Sequence, residues 1–287
     1  VSQSEQQELQ SLQKQLWDNG TISMWILRED TECLCFSDGS YTMLLWGHVS
    51  DDKNQLNTEA QHCFRILRYL GAPVGFCVNW WRIPNDRRLK AGHFPTRAEV
   101  NGGWARHGIP EVYIFRLEEW DRVLIHECIH AFDWDVMPST TVKTCLEQSL
   151  GGQITEALFE AATELNAEWL WCIIHSPNND FTGITWLKQI TWQQSQAFAI
   201  LARKPDIWSE DTSVFAYYVL KAVLALDMGN FLVSWLSGSV NTDMWCSLWS
   251  THKQTFLEQS NVHKASHHVE ISMRMTHPDL ENFINTL

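Results

Sequence analysis

The spacing of apolar and polar positions changes character about two-fifths of the way along the chain. Before that point the apolar runs are short and strand-like: ISMWIL (22–27), ECLCF (32–36) and YTMLLW (41–46), the last two joined by a turn-forming SDGS. A polar segment at 3–17 has amphipathic helical spacing, and residues 56–70, LNTEAQHCFRILRYL, form a second helix that stops at Gly71 with Pro73 close behind. PVGFCVNWW (73–81) reads as a buried strand, followed by a polar loop through Pro84, Asp86, Arg87 and Arg88. NGGWA (101–105) and EVYIF (111–115) are short strands on either side of an RHGIP turn. From residue 117 the period is helical almost throughout, over 117–136, 153–175, 185–203, 212–227, 229–237 and 241–260. Pro138 to Gly152 is expected to be a connecting loop, and the histidine-rich NVHKASHHVEISMRMTH (261–277) reads as irregular. The pattern predicts an α+β fold: a mixed α/β lobe with a small sheet over 1–116, and a helical lobe over 117–287.

Composition narrows the function classes. A hydrophobic fraction of 45% against 19% charged describes a chain that folds around a sizeable core, and the sixteen tryptophans, scattered without a period, are expected in that core and along cleft walls. Thirty-four acidic and twenty-one basic side chains give a net charge of −13. That field repels phosphate backbones, so no nucleic-acid partner is expected, and it could favour basic peptides. The eight cysteines form no CxxC pair and several lie in apolar runs, which points to free thiols in a reducing compartment. The N-terminal segment lacks a signal-peptide core. No apolar run reads as long enough to cross a bilayer, since the best one, VFAYYVLKAVLALDM (214–228), carries Lys221 in its middle. The expectation is a soluble intracellular protein, cytoplasmic and without a membrane partner.

The candidate chemistry starts in RVLIHECIHAFDWD (122–135), where His126, Glu127 and His130 spell H-E-x-x-H. Four positions apart on a helix, the two histidines lie one turn above each other and can reach one ion, with Glu127 beside them as a general base. Trp120, Val123, Leu124 and Cys128 give this helix apolar flanks, and Glu118 and Glu119 favour its N-terminal end. In a chain with twelve histidines such a match can arise by chance, and zinc needs a third protein ligand. ITEALFEAATELNAEWLW (154–171) offers candidates: Glu156, Glu160, Glu164 and Glu168 recur every four residues beside Ala157, Ala161 and Ala162. No Lys or Arg occurs from Gln153 to His175, so these carboxylates need a cation from elsewhere, and zinc would be one.

H-E-x-x-H followed by a helix bearing E-A-x-[ST]-[DE], here EAATE, resembles the gluzincins, the thermolysin-like clan of zinc metallopeptidases. The resemblance covers residues 101–171, and the 29 residues (131–159) between His130 and Glu160 exceed the spacing in thermolysin itself. It implies a zincin-like fold with an active-site cleft between the lobes. It also implies Zn2+ held by His126, His130 and Glu160, and Glu164 orienting a ligand histidine through its other ring nitrogen. Glu164 and Glu156 stay open as alternatives for the third ligand. The clan also carries an edge strand that pairs with the substrate backbone, which NGGWA would supply through Gly102, Gly103 and Trp104. An oxyanion donor from outside the zinc helices falls to Tyr218, with Tyr217, His263, His267, His268 and His277 as further candidates. Asp133 and Asp135 would orient His126 or His130, or end the helix. I-x-R-x-E-E-W, seen here as IFRLEEW (114–120), is also similar to uncharacterised HExxH proteins of large DNA viruses, which implies a virus-associated setting. The expected function is zinc-dependent hydrolysis of peptide or protein substrates. Its rival is a catalytically silent protein of the same fold serving a structural or interaction role, for example as a subunit of a larger assembly.

Overall fold

Side chains that alternate between core and surface build the first part of the chain. In a computed structural model, which describes residues 31–48, 52–84, 86–176, 183–262 and 270–281, the elements run as follows. Strands β1 (Thr31–Ser37) and β2 (Tyr41–His48) precede helix α1 (Lys53–Leu70) and strand β3 (Phe76–Trp81). Then come β4 (Arg88–Leu89), α2 (Arg97–Val100), β5 (Gly103–Ala105), β6 (Glu111–Ile114) and α3 (Trp120–Ala131). The helices α4 (Thr140–Leu150), α5 (Glu160–Ile174) and α6 (Gly183–Ala202) follow. A π-helical turn (Phe215–Leu220) leads into α7 (Lys221–Leu224), a 3-10 turn (Ala225–Asp227) and α8 (Met228–Leu236). The chain continues with α9 (Met244–Val262), β7 (Ile271–Ser272) and α10 (Pro278–Glu281). The helix expected at 3–17 and the strand at 22–27 lie outside the described residues, as do His263, His267 and His268.

Two units emerge. The first joins the described residues up to Asp86 with Asn101–Phe132, and the second joins Arg87–Val100 with those from Asp133 onward. The division differs from a boundary at 116/117, because α3 packs on β5 and β6 and so belongs with the sheet.

The first unit is a five-stranded sheet in the order β1-β2-β3-β6-β5. β1 and β2 are antiparallel, β2–β3 and β3–β6 are parallel, and β5–β6 is antiparallel. In β2 the residues Tyr41, Met43 and Leu45 are buried while their neighbours are partly exposed, as a one-sided strand requires. α1 is started by the Asp52 carboxylate, which accepts from the Asn54 N–H at 2.9 Å, and is ended by Gly71 in the left-handed region. Trp80 ties the sheet to the chain entering α3: its Nε1 donates to Arg116 O at 2.8 Å and its ring stacks on Trp120 at 4.3 Å.

The second unit is helical, apart from a two-residue antiparallel pairing of β4 with β7. Trp171, Trp208, Trp245 and Trp249 are among its most deeply buried side chains, and Phe215 packs edge-on against Trp208 and Trp249 at 5.6 and 5.5 Å. The expected loop at Pro138–Gly152 is in fact mostly α4. Only Val142 and Leu146 of this helix are buried, too few apolar positions to announce a helical period. Conversely, α5 starts at Glu160 and not near 153. The intervening N–H groups are engaged elsewhere, Gln153 with Trp208 O, Ile154 with Glu147 Oε1 and Thr155 with Glu210 Oε1.

Glu210 is the anchor of this strap. Its carboxylate accepts from Thr155 N at 3.0 Å, Trp208 Nε1 at 3.2 Å and Phe215 N at 2.8 Å, joining the strap to the start of the Phe215 helix. Burial pushes its pKa above the ordinary carboxylate value, opposed by the three donors. A raised carboxylate pKa means the folded state binds more protons than the unfolded one. This part of the stability is therefore present at low pH and lost as pH rises from the ordinary carboxylate value through the raised one. Glu210→Gln should remove that slope and, by turning an amide NH2 toward N–H donors, cost about 1–3 kcal/mol. Urea denaturation at several pH values checks both, and an unchanged pH slope would refute the assignment.

The Phe215–Leu236 segment is long and apolar enough to cross a membrane by length and composition, which the sequence pattern does not predict, and half of its most apolar window is buried inside the protein. Lys221, in its first third, is fully buried and paired with Glu168 of α5. Gln189 Nε2 (3.0 Å) and Gln193 Nε2 also donate to the Glu168 carboxylate.

Candidate metal centre and active site

α3 is buried at every residue from Asp121 to Ala131, so its three motif side chains are held by packing on all sides. His126, Glu127 and His130 are only 5%, 4% and 7% exposed. The two imidazoles meet at a steep angle, 82°, with ring centres 4.6 Å apart and Nε2 atoms 2.9 Å apart. Two nitrogens that each bind one zinc ion in tetrahedral geometry lie about 3.3 Å from one another, so the pair stands close to ligand spacing. Imidazole with carboxylate oxygen is a donor set that suits zinc.

β5 closes one end of the sheet, pairing with β6 through Gly103↔Ile114, Trp104↔Tyr113 and Ala105↔Val112 and, among the described residues, with no strand on its other side. Gly102 accepts from Phe115 N at 2.8 Å, which fixes the start of the strand, while Trp104 leans on Tyr113 at 5.3 Å. Gly103 lies directly against the motif helix. A Cβ at this position would stand 2.6 Å from Glu127 Oε1, 2.7 Å from its Cγ and 2.7 Å from Tyr113 O. The absence of a side chain is what lets the edge strand and Glu127 share this space. Because Tyr113 O is backbone and cannot swing away, Gly103→Ala should cost about 1–3 kcal/mol and displace Glu127. Denaturation together with peptide hydrolysis reads both, and a variant as stable as wild type would show that the contact relaxes cheaply.

His107, which spacing alone does not single out, sits in the turn between β5 and β6, exposed, with its ring edge-on to His130 at 5.8 Å. The turn is fixed to the end of α3 by Gly108 N, which donates to Ala131 O at 3.1 Å. The sequence signal was only a histidine in the RHGIP turn, and nothing local connects it to the motif.

In the second unit the four glutamates have different fates. Glu156 precedes α5, its side chain is 84% exposed, and Lys143 of α4 pairs with it. Glu168 is paired with Lys221. Glu160 opens α5 and is half-buried, and Glu164, one turn on, is buried. Between them Thr163 Oγ1 donates to Asp135 Oδ1 at 2.6 Å. The missing cation for this row is thus partly supplied by lysines, from α4 and α7.

Tyr218 is fully buried and its hydroxyl donates to Met273 O at 2.9 Å, so its one proton is committed to the core of the helical unit. His277 Nδ1 accepts from Asp279 N at 3.1 Å.

No protein-family model and no curated protein sequence matches the chain. A solved structure similar to it is that of an aminopeptidase N family protein from Idiomarina loihiensis, at 11% identity and a TM-score of 0.32, with 79% of this chain and 42% of that one covered. The chain thus spans less than half the length of that protein, and a TM-score of this size does not establish a shared fold.

Proposed function

We propose that the chain is a zinc-dependent peptidase, with His126, His130 and Glu160 as the metal ligands and Glu127 as the general base. The observation that carries this reading is the buried pair of imidazole nitrogens, 2.9 Å apart, with the neighbouring Glu127 against the bare backbone of an edge strand. When bound, zinc supplies a Lewis acid that brings the pKa of water to about 7 and polarises a carbonyl. Glu127 takes the proton from the attacking water and delivers it to the leaving nitrogen. Its low exposure suits that task, since proton transfer in a site that excludes bulk water is guided by one acceptor. β5 receives the substrate backbone as an added strand, and the missing side chain at Gly103 allows that backbone to come close to Glu127. Glu164 acts as a positioning residue on one ligand histidine.

The test is metal content and hydrolysis measured on the same preparation. Protein purified without chelator is expected to hold about one zinc, and His126→Ala or His130→Ala should lose most of it. Less than about half an equivalent in the wild type would overturn the metal centre. Stoichiometric zinc with no cleavage of a diverse mixture of quenched fluorescent peptides would make the site structural.

A further inference from the structure

Helices α4 and α9 run side by side in the same direction. Ser139, at the N-terminal cap of α4, donates to Asp243 Oδ1 at 3.4 Å, one residue before α9 begins. Three residues on, Val142 O accepts from Cys246 Sγ at 3.6 Å. Near the far end of α4, Ser149 Oγ accepts from Trp249 Nε1 at 3.0 Å and Ser149 O accepts from Lys253. Val142, Cys145 and Ser149 share one face of α4, at helical spacings of three and four. That face brings the Cys145 thiol into hydrogen-bonding contact with the Cys246 thiol. We propose that Cys145 and Cys246 form a redox modification site, at which a low-molecular-weight disulfide converts the two thiols to a disulfide that fastens α4 to α9. This role does not depend on a metal at His126 and His130.

The other cysteines do not offer such a pair. Cys63, Cys128 and Cys172 are buried, whereas Cys145 and Cys246 are free and partly exposed, within reach of a small oxidant. Cys33 and Cys35 are exposed but stand two residues apart on β1, where side chains on one face are about 6.6–6.8 Å apart. A disulfide needs about 3.5–4.5 Å between its Cβ atoms. Cys77 lies on β3, with β2 between it and β1, so roughly two strand spacings separate it from those thiols. Burial pushes the Cys246 thiol up to about 12, and the Cys145 thiol and Asp243 add to the effect. A thiol held this high stays protonated at neutral pH and is a poor leaving group once oxidised. The pair therefore closes slowly, and its disulfide resists reduction.

In the first step Cys145 gives its proton to solvent, and its thiolate attacks one sulfur of the oxidant, forms a mixed disulfide and expels one thiolate. Cys246 then loses its proton, and its sulfur displaces the second thiolate from the Cys145 sulfur. The two expelled thiolates take up two protons. The protein gives up two electrons and two protons, and one disulfide bond of the oxidant becomes two thiols. The new bond closes a loop of about 100 residues, a length at which the restriction of the unfolded chain is large. α4 also holds the strap that leads to Glu160: Lys143 pairs with Glu156, and Glu147 Oε1 accepts from Ile154 N at 3.1 Å. Fastening α4 to α9 steadies this strap as well as the helix.

The test compares the chain incubated with excess glutathione disulfide at mildly alkaline pH with the same chain kept in dithiothreitol. Mass spectrometry of unreduced digests should find the Cys145 and Cys246 peptides joined, two hydrogens lighter than the separate thiols. The oxidised protein should melt about 5–10 °C higher. Amide hydrogen exchange in α4 and in residues 151–159 should slow at least tenfold on oxidation. Cys145→Ser and Cys246→Ser should each melt like the reduced wild type in dithiothreitol, and neither should gain stability from the oxidant. Glutathione adducts on either cysteine with no joined peptide overturn the proposal, as does a joined peptide that leaves exchange in α4 unchanged. If a serine variant does not fold, the joined peptide and the exchange of oxidised against reduced wild type decide the matter alone.

Discussion

Peptide hydrolysis by Glu127→Gln should be about 10²–10⁴-fold slower than by the wild type, with zinc content unchanged. Glutamine fills the same volume, so the tight fit under Gly103, where a Cβ would stand 2.6 Å from Oε1, is preserved. What is lost is the ability to accept a proton and pass it on. The two imidazole nitrogens keep their 2.9 Å relation because α3 is packed at every position, and their metal affinity does not run through Glu127. Turnover with metal content on the same sample separates the outcomes. Activity within a few-fold of wild type would remove Glu127 as the base, and a fall in zinc content would show that it shapes the ligand pair instead. Gly103→Ala probes the same contact from the strand side.

Lys221→Met should destabilise the protein by about 3–5 kcal/mol, an effect large on the scale of a single domain. Lys221 and Glu168 are both fully buried, and the carboxylate is held further by Gln189 and Gln193. Removing the ammonium leaves the Glu168 carboxylate in a helical core without the lysine that faces it, while Gln189 and Gln193 still donate to it. It must then ionise at high cost or take up a proton. Replacing both partners, Lys221→Met with Glu168→Leu, removes the charge problem and should recover most of the loss. Denaturant midpoints of the four proteins in this cycle give the coupling directly. A single-variant cost below about 1 kcal/mol would show that the pair is solvated by other means. This pair also bears on the metal reading, because one carboxylate in the glutamate row is balanced by lysine and needs no zinc.

The periodicities carried much of the architecture. β1, β2, β3, β5, β6, α1, α6 and α9 lie within a few residues of where apolar spacing places them, since a strand or helix with one buried face writes its period into consecutive residues. The H-E-x-x-H spacing was enough to put His126 and His130 on one turn of a helix. Other features depend on residues far apart in the chain. α4 has only two buried apolar positions, so its helix is supported by packing that local spacing does not record. The start of α5 is set by Trp208 and Glu210, some fifty residues downstream, which take the N–H groups of the strap and put Glu156 outside the helix. The same distance separates Glu168 from Lys221, and a row of glutamates without nearby basic residues gives no hint of a lysine arriving from another helix. Gly103 against Glu127, His107 against His130, and Tyr218 turned to Met273 are likewise contacts between elements. Local composition decided which segments are strands and helices and which residue types could hold a metal. Packing decided which carboxylates were already neutralised and which backbone lies on the candidate base, because each is a distance that only the folded chain defines.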